Sequence, residues 1–236
     1  AEDASLVKLI DTLCALPDPF WLRVMYMQPE GIDEELLECF ARNHQMCHYF
    51  EIPMQHASAR ILRAMQRAGD GEHFLGLLDR IRSRFPDAVV RTTLIAGYPG
   101  ETDEEFEELV DFIGKARFDY VGVFAYSPEE GTVAAKSDGQ LSDEVRLSRA
   151  NELRAIADAI GFEQTARWID TTLEVLLEDH LDTDQWQGRF PGQAPDIDGV
   201  VLVGVQPGVE LESGMIVTTK IDDAYLYDLE GMISLE

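Results

Sequence analysis

Apolar residues fall along this chain in two rhythms. Near-continuous apolar runs, rich in β-branched or aromatic residues, span 21–27, 47–54, 89–97 and 120–127. Between them a helical periodicity predicts helices over 34–42, 59–67, 72–85 and 103–116. Strands this uniformly apolar, alternating with helices, predict a parallel sheet covered by helices. The helix over 103–116 carries its own start signal: Thr102 to cap it, Glu105 three residues on, and Phe106, Leu109, Val110 and Ile113 on one face. A further helix over 4–16 feeds straight into the first apolar run. The chain is therefore expected to start in mid-repeat, leaving an open parallel edge that invites aggregation.

After the string EEGTVAAKSDGQ the rhythm changes. One long helix is predicted over 142–170, with Gly161 as a potential break. Beyond it, short strands at 173–177, 200–205 and 215–221 are separated by Gly, Pro and Asp turns, the pattern of a small antiparallel barrel or sandwich. The resulting division is 1–137, a linker helix over 138–170, and a β module over 171–236.

Composition narrows the picture. The sequence shows no apolar run of about 18 residues and no leader with a basic start and an apolar middle, which sets the expectation of a soluble, cytoplasmic protein without membrane contact. Cys14, Cys39 and Cys47 are too few and too irregularly spaced for a disulfide framework or a common metal pattern, and read as buried thiols. A formal net charge of −26 works against phosphate backbones. It would draw in a basic partner, or serve solubility alone.

In parallel α/β architectures, ligands lie beyond the C-terminal ends of the strands. Four such ends are legible: YMQPEG, EIPMQHAS, RTTLIAGYPGE and FAYSPEEGT. Each carries polar or special-backbone residues, among them Glu51, Gln55 and His56, Arg91 and Thr93, the turn from Gly97 through Gly100 to Glu101, and Tyr126. Gly97 and Gly100 permit left-handed backbone, and the helix that follows would aim free N–H groups at an anionic ligand. Arg91, inside an apolar strand, needs a carboxylate or a ligand, with Glu51 as an internal candidate. His56 reads either as a base or ligand, or as a capping histidine beside Ser58.

These stretches resemble the radical S-adenosylmethionine (SAM) methylthiotransferase family. WLRVMYMQPEGI, CHYFEIPMQHASARILRAMQRAG, VVRTTLIAGYPGETDEEFEELVDFI, FDYVGVFAYSPEEGTVAA and GRFPGQAPDIDGVV occur in family order. Within the family the chain looks most like the RimO type, which methylthiolates an aspartate of ribosomal small-subunit protein 12. The MiaB type, which modifies an adenosine of tRNA, is the alternative. The resemblance implies an α/β fold, with the C-terminal part of a radical SAM (β/α)6 TIM-like barrel over 1–137 followed by a small all-β, OB-like TRAM barrel over 171–236. It also implies SAM contacts at Glu51, Gln55, His56, Arg91, Thr93, Gly97, Gly100, Glu101 and Tyr126.

Family chemistry requires a CxxxCxxC loop for one four-iron four-sulfur cluster, and three further N-terminal cysteines for a second. Neither set occurs in this sequence, and the three cysteines, 25 and 8 positions apart, match neither. No catalytic residue or metal ligand is identified, and the chain by itself is expected to be an inactive part of an enzyme. Glu51, Met54 and Tyr98 stand where the family usually has Asp, Leu and Phe. Residues 172–236 hold fourteen Asp and Glu against Arg189 and Lys220, a net of −12. Such a module repels tRNA and suits a basic ribosomal protein as substrate. A cluster-free module that docks on ribosomal components is a third possibility.

Overall fold

The computed structural model describes residues 5–206 and 208–234. Helix α1 (Leu6–Cys14) is followed by α2 (Glu34–Arg42), β1 (Tyr49–Glu51), α3 (Ala59–Ala64), α4 (Gly71–Arg84), β2 (Val89–Ala96), α5 (Asp103–Ala116) and β3 (Tyr120–Ala125). Ala4, expected to open the first helix, lies outside the described residues. The three strands form a parallel sheet in the order β1-β2-β3, with Glu51 opposite Arg91 and Thr93 opposite Gly122. Phe50, Ile52, Val90, Leu94, Ala96 and Val123 point to the helices, where they join Leu77, Leu78, Leu109 and Ile113 in one core. The Thr102–Glu105 capping box forms as the sequence predicts.

Two strands are shorter than expected. Segment 21–27 is not a regular strand but pairs beside β1 at its two ends. Leu22 bridges Met46, and the Met27 N–H donates to the Glu51 carbonyl at 2.9 Å. Between these points Tyr26 takes a left-handed backbone, φ 56°, and the Arg23 guanidinium is drawn to the carbonyls of Pro191 and Gln193, each at 2.8 Å. Strand β1 stops at Glu51 because Pro53 has no N–H to donate. Pairing resumes for one residue, with Gln55 N–H on Thr93 O and Ile95 N–H on Gln55 O, both 2.8 Å.

Helix α6 (Asp143–Ala166) crosses the far side of β3 without a break at Gly161. Its Arg154 donates twice to the Val123 carbonyl, at 3.1 and 2.8 Å, which satisfies an acceptor on that edge. The β3 edge of the short sheet is thus partly covered by α6.

Strands β4 (Thr172–Asp182), β5 (Gln185–Arg189), β6 (Val201–Gly204), β7 (Ile216–Tyr225) and β8 (Asp228–Ile233) close into a barrel in the order β4-β5-β6-β8-β7. Its interior, built on Val175, Leu177, Val201, Val203, Ile221 and Leu229, is continuous with Tyr49, Val89 and Tyr120 of the sheet. The small barrel therefore seats against the first residues of the three parallel strands and leaves their C-terminal ends clear of it.

Candidate active site

The side chains opposite the helices form one wall in layers. At its base Tyr49, Val89 and Tyr120 are buried under the small barrel. Above them Arg91 Nη1 donates to Asp198 Oδ1 at 2.6 Å, while its Nε stands 3.8 Å from Glu51 Oε1 and has no hydrogen-bond partner. Asp198 Oδ2 also accepts from the Tyr49 hydroxyl and from the Ala194 N–H, each at 2.8 Å. Burial raises the Asp198 carboxyl above its usual range, and these donors only partly offset it. Arg91 thus meets both a carboxylate on the wall, as the sequence suggested, and one on the small barrel that lies 107 residues away.

Thr93 and Gly122 lie side by side in the next layer. Higher still, Phe124 is 58% exposed. Gln55 projects from a left-handed backbone, φ 70°, an arrangement a residue other than glycine adopts at some cost. Tyr126 packs edge-on against Tyr98 at 5.3 Å, and its hydroxyl is buried without a partner.

The turn Gly97–Glu101 is organised from within. Gly97 and Gly100 have φ 77° and 78°. A Cβ on Gly97 would stand 2.7 Å from Arg146 Cγ and 3.0 Å from its Cα, so α6 also excludes a side chain there. The Gly97 N–H donates to both oxygens of Glu101, at 3.0 and 2.9 Å, and the Gly100 N–H to Gly139 O at 2.8 Å. The Gly97 and Gly100 amides are therefore satisfied within the fold, and at the start of α5 the Thr102 and Glu105 N–H groups are taken up by the capping box. Glu105, which the sequence placed only in the cap, also accepts from Ser58 and Arg60. Against the desolvation that raises it, these bonds and the Thr102 N–H lower its carboxyl to about 2.

His56 and Glu101 are fully enclosed. His56 Nδ1 accepts from Ser58 N–H at 2.9 Å, so Nε2 carries the proton and donates to Glu101 Oε2 at 3.2 Å. Arg149 of α6 completes the cluster, with Nη1 on Glu101 Oε1 at 2.6 Å and Nη2 on Asp103. His56 and Glu101 thus brace the turn from beneath, while Gln55, Thr93, Phe124 and Tyr126 remain on the wall. Arg149 and Asp198 escaped the sequence reading. An arginine in the middle of an otherwise charge-rich helix gives no local sign of its burial.

The Radical SAM superfamily model matches residues 4–113, and the TRAM domain model matches residues 169–233. Over 97% of its length the chain is 42% identical to the ribosomal protein uS12 methylthiotransferase RimO of Desulfitobacterium hafniense (strain Y51), covering 51% of that protein. The RimO of Clostridioides difficile (strain 630) is 40% identical over 98% of the chain, which covers 52% of it. The chain spans about half the length of the curated relatives it matches. Among solved structures, coproporphyrinogen III oxidase (HemN) from Escherichia coli, a radical SAM enzyme, aligns with a TM-score of 0.51 over 62% of this chain and 34% of that one. At 20% identity this is a likeness of fold alone.

Proposed function

The chain belongs to the radical SAM methylthiotransferases of the RimO type, and on that footing we propose that it supplies the SAM-binding wall and the substrate-recognition module for methylthiolation of an aspartate side chain of ribosomal protein uS12. The wall fits a nucleoside cofactor: an exposed aromatic ring at Phe124, an unpaired buried hydroxyl at Tyr126, and the polar side chains of Gln55 and Thr93. When bound, SAM supplies the methyl group and the 5'-deoxyadenosyl radical. Gln55, Thr93 and Tyr126 would hold and orient it, and Phe124 would shield its base from water. Arg91 and Glu51 support the wall from the layer below.

The cysteines of this chain do not fit a cluster. All three are buried, and burial raises the Cys47 thiol, opposite to what a metal thiolate needs. The Cys39 thiol instead faces Val7 O at 3.8 Å and Asp11 at 3.6 Å. Cluster ligands are assigned to the half of the relatives' length that this chain does not span.

The observation that carries the choice of a protein substrate is the surface of the TRAM barrel. Glu174, Asp179, Asp182, Asp184, Asp222, Asp223 and Glu230 are exposed there, whereas Arg189 is paired with Glu178, leaving Lys220 as the exposed cation among the described residues. Such a field accelerates approach of a basic protein and opposes RNA. Binding of the full chain to purified uS12 and to a tRNA anticodon stem-loop, each at low and moderate salt, tests this. Salt-weakened binding to uS12 alone is expected. Binding to the stem-loop alone would move the chain to the tRNA-modifying branch.

A further inference from the structure

Two adjoining cavities, of about 520 and 310 Å³, open where the small barrel meets the N-terminal ends of the parallel strands, opposite the end that carries Gln55 and Tyr126. Glu174, near the start of β4, lines both. The larger is walled by Leu16, Phe20, Trp21 and Ile216, of which Leu16 and Ile216 are 53% and 41% exposed. Trp168, Leu173, Phe190 and Pro191 wall the smaller, with the Trp168 and Phe190 rings packed edge-on at 5.0 Å. An apolar, largely aromatic lining thus reaches the surface at a junction the SAM wall does not use.

Among the described residues neither cavity is lined by a lysine or an arginine, although the chain holds 19 of them. Arg167, whose guanidinium lies 4.7 Å from the Trp168 ring centre, is committed to Asp119 and to Ala88 O. The polar groups of the lining are of the opposite kind. Asp18 and Glu174 are exposed and form no ion pair among the described residues, and the Asp87 side chain is 58% exposed. His48, the residue before β1, sets Nδ1 2.9 Å from each oxygen of Asp87. That contact holds the proton of the neutral ring on Nδ1 and leaves Nε2 as an acceptor, with no partner of its own among the described residues. Lys220, opposite Thr172 in the β4–β7 ladder and diagonal to Glu174, is the cation that competes for this rim.

We propose that the two cavities form one groove that holds an extended segment of a basic protein, with arginine side chains beside Trp168 and Phe190 donating to Asp87, Glu174 and His48 Nε2, and aliphatic neighbours on Leu16 and Ile216. A guanidinium stacks on aromatic rings and donates several N–H bonds at once, so it matches such a lining. An anion would meet three carboxylates there and no cation on the lining. The inference rests on the proposed function only for the partner's identity, which that reading makes uS12. Set at the far end of the strands from Gln55 and Tyr126, the groove adds affinity for the substrate without touching the reacting aspartate.

The test titrates the ¹⁵N-labelled full chain with a capped peptide of alternating leucine and arginine, and with the same peptide carrying citrulline, a neutral isostere of arginine. The indole N–H signals of Trp21 and Trp168 report on the two cavities, and that of Trp186, which lines neither, is the control. The arginine peptide alone is expected to shift the first two. Asp87→Asn combined with Glu174→Gln should weaken its binding about tenfold, and Lys220→Gln should tighten it. Glu107→Gln combined with Glu108→Gln removes the same charge from the exposed face of α5 and should change binding by less than about twofold. Equal responses to the two peptides, or equal weakening by the two double variants, overturns the groove, the latter by showing only a diffuse acidic field. Purified uS12 then takes the place of the peptide. Competition between the two, with the same loss in Asp87→Asn combined with Glu174→Gln, is the expected result, and uS12 binding that ignores this pair overturns the proposal. Peptide binding that follows the two carboxylates, in a chain that does not bind uS12 at all, would keep the groove and remove the substrate reading.

Discussion

Glu101 gathers donors from three separate parts of the chain: the Gly97 N–H, the His56 ring and the Arg149 guanidinium. Enclosed from water, such a carboxylate is held by partners that would themselves be left wanting without it. Glu101→Gln keeps the size but leaves Arg149 with only Asp103, whose side chain is 95% exposed, as a countercharge. We expect a loss of about 3 kcal/mol, toward the lower end for a broken buried pair, measured by urea unfolding. A loss under about 1 kcal/mol would mean that Asp103 alone neutralises Arg149. The sequence marked this turn through its two glycines and the capped helix after it, and both features are present. What it could not carry was the occupancy of the turn, because Gly139, whose carbonyl takes the Gly100 N–H, and Arg149, which holds Glu101 from 48 positions away, are remote in the chain. Arg91 follows the same pattern. Its need for a carboxylate was legible from its place in an apolar strand, whereas Asp198, across the domain junction, was not.

Elements were legible where one chain rhythm controls them and obscured where a glycine serves a contact. No strand was expected over β5 or β8, each of which holds a glycine, Gly188 and Gly231. In the barrel they mark close strand approach, since a Cβ would stand 2.4 Å from Leu176 O or 2.1 Å from Lys220 O. Gly161 was a potential helix break, yet α6 continues through it. A Cβ there would lie 2.5 Å from the Tyr227 ring, whose hydroxyl donates to Asp158 at 2.8 Å. That ring also packs against Phe162 and Tyr120, so the glycine sits where helix, sheet and small barrel meet. In an isolated helix Gly→Ala would stabilise by about 1 kcal/mol. Here we expect Gly161→Ala to destabilise by about 1–3 kcal/mol through overpacking, read as a lower melting temperature. Combined with Tyr227→Leu, the same change should cost less than it does alone. An alanine that stabilises the chain with Tyr227 intact would show that the ring moves aside freely.

At the scale of the whole molecule, two kinds of contact join the barrel half to the TRAM barrel, and they predict different behaviour when weakened. One is polar: Asp198 collects Arg91, the Tyr49 hydroxyl and the Ala194 N–H, while Arg23 caps the Pro191 and Gln193 carbonyls. The other is apolar, since Tyr49, Val89 and Tyr120 share a core with Val175, Phe190 and Leu229. Ion pairs fix orientation, but burial of large apolar side chains supplies most of the favourable energy and so sets cooperativity. Asp198→Asn can still accept hydrogen bonds from Tyr49 and Ala194, yet it leaves Arg91 with Glu51 alone, at 3.8 Å. We therefore expect a loss of about 3 kcal/mol with the thermal transition still single, because the shared core is untouched. Calorimetry of the full chain decides the matter. If Asp198→Asn splits the transition in two, the polar cluster rather than the common core couples the domains, and the wall would then owe its alignment with the TRAM barrel to Arg91.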